Sequence, residues 1–109
     1  MSTRVVKKML LVEDNPGDMR LLREMINEDG SLEIDLACAT SMAEAEMHLA
    51  LPGFDIILLD LGLPDAQGLS AIRRTRIAAP DVPLVVLTGM DDDELAAHAL
   101  QNGAQDYLI

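Results

Sequence analysis

Aromatic side chains are nearly absent from this 109-residue chain, which holds one Phe, one Tyr and no Trp. Its core must therefore be built from aliphatic side chains and methionine, and half of all residues are apolar. With that apolar content and a charged fraction of 25%, the composition is that of a folded protein and excludes a disordered one. The length suits one domain, and we expect residues 1–109 to form it.

Basic residues are also scarce, with eight Lys and Arg against 19 Asp and Glu, for a net charge of −11. We expect neither nucleic acid nor an anionic membrane as a partner, because both are bound through clustered cations. The single cysteine, Cys38, excludes an intramolecular disulfide. No signal peptide is recognisable, and no apolar run approaches the roughly 18 residues that a membrane span requires. These absences favour a cytoplasmic protein.

Three apolar runs, each followed at once by a polar residue, are the most informative pattern that is present. They are residues 9–12 before Glu13 and Asp14, residues 56–59 between Asp55 and Asp60, and residues 84–87 before Thr88. Such runs are typical of parallel strands buried on both faces, whose C-terminal ends share one edge of the sheet. We expect the three carboxylates and the hydroxyl to meet there. Crowded carboxylates raise one another's pKa unless a cation lies among them, which indicates a divalent metal site.

Strand and helix patterns alternate along the whole chain. Strands are predicted at 8–12, 33–38, 55–59, 84–87 and 106–109, and helices after Asn15, Ser41 and Gly68 and from Asp91. Asn15 is a suitable N-cap, Ser41 and Glu44 form a capping box, and 33–38 alternates as an edge strand does. The helical methionines are predicted to fill the core: Met19, Met25, Met42 and Met47. The alternation predicts a doubly wound α/β domain with right-handed crossovers.

Four segments together resemble the receiver domain of bacterial two-component response regulators. They are Leu-Val-Glu-Asp-Asn at 11–15, Leu-Leu-Asp-Leu-Gly-Leu-Pro-Asp at 58–65, Leu-Thr-Gly at 87–89 and Gly-Ala-Gln-Asp-Tyr at 103–107. The resemblance covers almost the whole chain, with the segments in the family's order and spacing. It implies a flavodoxin-like parallel sheet of five strands in the order 2-1-3-4-5. It also implies a phosphorelay role, with a histidine kinase or a histidine phosphotransfer protein as the partner.

The same resemblance implies the residues of a phosphoacceptor site. Asp60 corresponds to the carboxylate that attacks a phosphohistidine and becomes an aspartyl phosphate. Glu13, Asp14, Asp60 and the backbone carbonyl of Gly62 correspond to the oxygen ligands of a Mg²⁺ ion. Such a domain is not an enzyme in the ordinary sense, since it assists only its own phosphorylation and dephosphorylation.

The resemblance further implies a switch. Thr88 corresponds to the hydroxyl that moves to bind the phosphoryl group, and Tyr107 to the aromatic residue that changes rotamer with it. Gly62 and Met90 flank the expected site and are candidates for tuning the lifetime of the phosphoryl group.

One departure from the family concerns a lysine that follows the fifth strand and pairs with the phosphoryl group. No lysine follows Lys8 here, and the sequence ends at Ile109, where that lysine and a fifth helix would come next. We therefore expect a domain truncated after its fifth strand, without the fifth helix. Its uncovered apolar sheet face favours a homodimer.

A second interpretation keeps the fold and drops the chemistry, giving a phosphorylation-independent interaction or dimerisation module. The missing lysine favours this module, whereas the intact Glu13, Asp14, Asp60 and Thr88 disfavour it. A nucleotide or flavin enzyme is disfavoured because residues 13–16 offer carboxylates where a phosphate cradle needs glycines.

Overall fold

The structure is a computed structural model and describes residues 6–28, 33–87, 100–101, 104 and 106–108. Its elements are, in chain order, β1 (Val6–Val12), α1 (Pro16–Asn27), β2 (Glu33–Ala39), α2 (Met42–Leu49), β3 (Ile56–Asp60), α3 (Leu69–Ala78), β4 (Leu84–Leu87) and β5 (Asp106–Leu108). The strands form one parallel sheet in the order β2-β1-β3-β4-β5. The predicted doubly wound fold and its strand order are confirmed. The helix predicted from Asp91 lies outside the described residues, except that Leu100 and Gln101 are helical.

Side-chain caps fix the starts of the first two helices. Asn15 Oδ1 accepts a hydrogen bond from the Asp18 amide at 3.0 Å, and Pro16 opens α1. Ser41 Oγ accepts one from the Glu44 amide at 3.1 Å at the start of α2. The Glu44 carboxylate accepts from the Thr40 amide and hydroxyl, one residue before the partner that a capping box predicts.

The main core lies between α2, α3 and one face of the sheet. Its strand residues are fully buried: Leu10, Val12, Ile57, Leu59, Leu84 and Val86. Met42 of α2 and Ile72 of α3 are fully buried among them. β2 is a half-exposed edge strand, as its alternation predicts.

The other face of the sheet is less completely covered. Right-handed crossovers place α1 on it, because β2 and β3 lie on opposite sides of β1. Leu11 and Met19 are, among the described residues, the buried apolar side chains outside the main core. On the same face as Leu11, the alternating residues Leu58, Val85 and Leu87 stay partly exposed.

The helical methionines divide into two kinds. Met42 is fully buried and Met19 is 9% exposed, whereas Met25 is 58% and Met47 74% exposed. The prediction that all four fill the core is therefore wrong for Met25 and Met47. Met25 follows Met19 by six residues and Met47 follows Met42 by five, and at about 3.6 residues per turn neither spacing returns to the buried side. Within the described residues, the helices are too short or too polar to cross a bilayer.

Candidate functional site

Three carboxylates converge at the C-terminal edge of the sheet. β1 and β3 are parallel neighbours in which Val12 pairs with Leu59, so Glu13 and Asp60 follow at matching positions. One carboxylate oxygen from each of Glu13, Asp14 and Asp60 lies within 4.8 Å of the other two. The convergence predicted from the strand ends is thus present for these three residues. Thr88, the fourth strand-end residue, lies outside the described residues.

Glu13 is the buried member of this acidic cluster, with 6% of its surface exposed. Its amide donates to the Ala39 carbonyl at 3.0 Å, which fixes it to the end of β2, and its carboxylate accepts from the Asn15 amide at 3.1 Å. Burial is the main cause that raises the pKa of Glu13 from its ordinary 4.5 to about 7. The charge and hydrogen bonding of Asp60 contribute to the same rise, whereas the Asn15 amide opposes it. The acidic cluster therefore holds a proton readily when no cation is present.

Asp14 is the exposed residue of the acidic cluster and does not cap α1. Asn15 caps that helix, as the sequence predicts, which leaves the Asp14 carboxylate available to the cluster. Asp18, in the first turn of α1, also raises the pKa of Glu13 through its negative charge.

The loop after β3, residues 61–68, places Gly62 beside Asp60. The Gly68 amide donates to the Leu61 carbonyl at 3.0 Å, and Gly62 forms an antiparallel bridge with Gln67. Leu63 is fully buried and holds the middle of the loop against the core. A Cβ on Gly62 would lie 3.7 Å from Asp60 Oδ2, so this position adjoins the carboxylate.

The donor set of the acidic cluster suits a hard divalent cation. It offers carboxylate oxygens, which Mg²⁺ prefers, and a cation would relieve the repulsion by Asp60 that adds to the effect of burial on the pKa of Glu13. A groove of about 540 Å³ leads away from Glu13 and Asp14 along α1, with Arg20, Arg23 and Thr40 among its walls. The groove could not be predicted from the sequence, because it also needs Thr40, which follows β2, to lie beside residues 13–27.

The remaining predicted site residues are described only in part. Met90, like Thr88, lies outside the described residues, and Tyr107 pairs with Val86 in the backbone of β5. Lys8, the last lysine in the sequence, lies at the opposite end of the sheet, with its ammonium 4.5 Å from the Phe54 ring centroid. It cannot replace the lysine that pairs with a phosphoryl group in the family.

Comparisons with known proteins agree with this fold. The family model described as response regulator receiver domain matches residues 9–109. The swarming motility regulation protein RssB of Serratia marcescens is 36% identical over 100 residues, which are 92% of this chain and 44% of that protein. The chain thus spans less than half the length of this curated relative.

Two similar solved structures are described with bound ions. A response regulator from Burkholderia pseudomallei, described with a phosphorylated aspartic acid, calcium ion and citrate, is 29% identical with a TM-score of 0.79, over 94% of this chain and 58% of that one. The receiver domain of a sensor histidine kinase from Pseudomonas aeruginosa, described with a magnesium ion in its active-site cleft, is also 29% identical with a TM-score of 0.79, over 95% of this chain and 84% of that one.

The family match covers nearly all of the chain, and the two similar solved structures are a response regulator and a receiver domain. The chain therefore belongs to the receiver domains of response regulators, the signalling domains of two-component systems.

Proposed function

We propose that this receiver domain accepts a phosphoryl group on Asp60 from a phosphohistidine of a histidine kinase or a histidine phosphotransfer protein. The observation that carries the proposal is the acidic cluster at the sheet edge, with carboxylate oxygens within 4.8 Å of one another. An oxygen of Asp60 forms a bond to phosphorus while the phosphorus–nitrogen bond of the donor breaks. The histidine nitrogen then takes up a proton from solvent.

Glu13, Asp14 and Asp60 would hold a Mg²⁺ ion, with the backbone carbonyl of Gly62 as a further oxygen. The bound ion would screen the charge of the phosphoryl group from the carboxylates. The arrangement of Glu13 supports this proposal, because Glu13 is 6% exposed and its carboxylate lies beside that of Asp60, which a divalent cation would stabilise. The magnesium ion described in the receiver domain from Pseudomonas aeruginosa supports it independently.

The proposed response to phosphorylation involves the residue that follows β4 and a residue of β5. Residues 1–109 act as one domain in which the Thr88 hydroxyl binds the phosphoryl group and Tyr107 follows it, altering the surface that a partner reads. Gly62 and Met90 set the lifetime of the phosphoryl group through access of water to Asp60. A homodimer through the partly exposed sheet face belongs to the same proposal.

The experiment that tests the chemistry is the intact mass of the chain after incubation with acetyl phosphate and Mg²⁺. We expect one added phosphoryl group, which is lost when Mg²⁺ is chelated and in Asp60→Asn. Asn keeps the size and polarity of Asp60 but cannot form the acyl phosphate, so it is the matched control.

The second candidate is the interaction module that needs no phosphorylation, and the partly exposed side chains of Leu58 and Val85 on one sheet face favour it. A chain that takes up no phosphoryl group, and whose melting temperature does not respond to Mg²⁺, would contradict the proposed chemistry and support this module.

A further inference from the structure

Asp65, in the loop after β3, makes an unusual contact with a different helix. Its Oδ1 accepts from the Met42 amide at 2.8 Å and its Oδ2 from the Ala43 amide at 2.9 Å. These amides belong to the first turn of α2, where backbone donors have no partner within the helix. Ser41 already caps α2 through the Glu44 amide. Asp65 therefore adds a second cap from a remote part of the chain.

The loop is also held to both helices through Arg74 of α3. Arg74 Nη1 donates to the Asp65 carbonyl at 3.2 Å, and the same guanidinium pairs with Glu46 of α2. The pKa of Asp65 is lowered because the amides of Met42 and Ala43 stabilise its charged form. Asp65 thus remains a carboxylate, and keeps both bonds, at neutral pH.

The two ends of this connection adjoin the acidic cluster. Asp65 lies three residues after Gly62, in the loop that starts directly behind Asp60. α2 follows β2, whose last residue, Ala39, accepts the hydrogen bond from the Glu13 amide. Asp65 therefore connects the loop after Asp60 to the start of α2. That helix follows β2, whose last carbonyl accepts the hydrogen bond from the Glu13 amide.

We propose that Asp65 is a positioning residue for the metal site, which holds the loop 61–68 so that Asp60 and the Gly62 carbonyl face Glu13 and Asp14. The inference rests on the metal site of the proposed function. Groups that orient metal ligands from outside the coordination sphere affect metal affinity strongly, commonly by tenfold or more. An ordinary helix cap affects stability alone.

The test compares Asp65→Ala with Ser41→Ala, which removes the other cap of the same helix without touching the loop. The concentration of free Mn²⁺ is followed by electron paramagnetic resonance during titration of the full chain, and unfolding is measured in parallel. We expect both variants to lose stability, while the Kd for Mn²⁺ rises about tenfold in Asp65→Ala and less than twofold in Ser41→Ala. Asp65→Asn keeps one acceptor oxygen and should fall between wild type and Asp65→Ala, and it decides the question if Asp65→Ala does not fold.

Equal Mn²⁺ affinity in the Asp65 variants and Ser41→Ala would overturn the positioning role while leaving the metal site intact. The wild-type chain and Asp14→Asn test the metal site itself. A wild-type chain that binds no Mn²⁺, or binding that is unchanged in Asp14→Asn, would overturn the metal site and the inference together.

Discussion

Glu13 is 6% exposed and lies beside the carboxyl group of Asp60. Its pKa is raised to about 7, so it keeps its proton to about that pH. Its position at a strand end could be predicted from the apolar run before it. Its burial could not, because burial depends on Ala39 of the neighbouring strand and on the turn that brings the Asn15 amide onto its carboxylate. Residue order thus indicates which groups meet, and tertiary packing determines how they titrate.

The titration of Glu13 predicts a stabilising substitution in the metal-free chain. Because its folded pKa is raised from 4.5 to about 7, ionising Glu13 costs the folded state stability. The cost is small below pH 4.5, grows between pH 4.5 and 7, and is complete above pH 7. With chelator present, Glu13→Gln should raise the free energy of unfolding by roughly 1–2 kcal/mol more at pH 8 than at pH 5, less than the full shift implies because water still reaches the site.

Urea denaturation at the two pH values measures this difference. If Glu13→Gln stabilises the chain no more at pH 8 than at pH 5, the pKa of Glu13 is not raised in the folded state.

At the scale of elements, the loop after β3 ends on a glycine that another residue cannot easily replace. Gly68 opens α3 with φ 56° and ψ −131°, a conformation that is almost restricted to glycine. Gly62, in the same loop, has an ordinary φ, and a Cβ there would make only van der Waals contact with Asp60. The two glycines offer a matched pair of substitutions.

Gly68→Ala should lower the free energy of unfolding by about 1–3 kcal/mol, because the backbone strain has no compensating contact. Gly62→Ala should change it by less than about 0.5 kcal/mol. Thermal and urea unfolding of both variants make the comparison. Equal stabilities would contradict the assigned conformation of Gly68.

The elements themselves could be predicted well where local chemistry decides them. The apolar run of β4 matches residues 84–87, and α1 and α2 begin after the caps Asn15 and Ser41. The tie from Asp65 to α2 could not be predicted, because it joins residues that are more than twenty positions apart. Met47 has a local reason instead: its apolar character alone predicts a core position, but its spacing of five residues from Met42 turns it to the exposed side of α2.

On the scale of the whole molecule, the two faces of the sheet are covered unequally. Ile57, Leu59 and Val86 are fully buried toward α2 and α3, whereas Leu58 and Val85, which alternate with them, stay partly exposed. Partly exposed aliphatic side chains on neighbouring strands form the kind of patch that drives association.

We therefore expect the weight-average mass of the chain to rise with concentration in sedimentation or light scattering. Val85→Thr, which keeps the branched shape but adds a hydroxyl, should weaken this association. The control is Ile77→Thr, since Ile77 is 83% exposed on α3, away from this face, and should leave association unchanged. A monodisperse monomer at every concentration would contradict the expectation.

The central claim is that Asp60, within the acidic cluster, is the carboxyl group that carries the phosphoryl group. The most direct test is to phosphorylate the chain with acetyl phosphate and Mg²⁺, reduce the acyl phosphate with borohydride, and locate the resulting homoserine by peptide sequencing. The account predicts homoserine at position 60 and unmodified Glu13 and Asp14. Homoserine at position 14, or none in a chain that binds Mg²⁺, would contradict it.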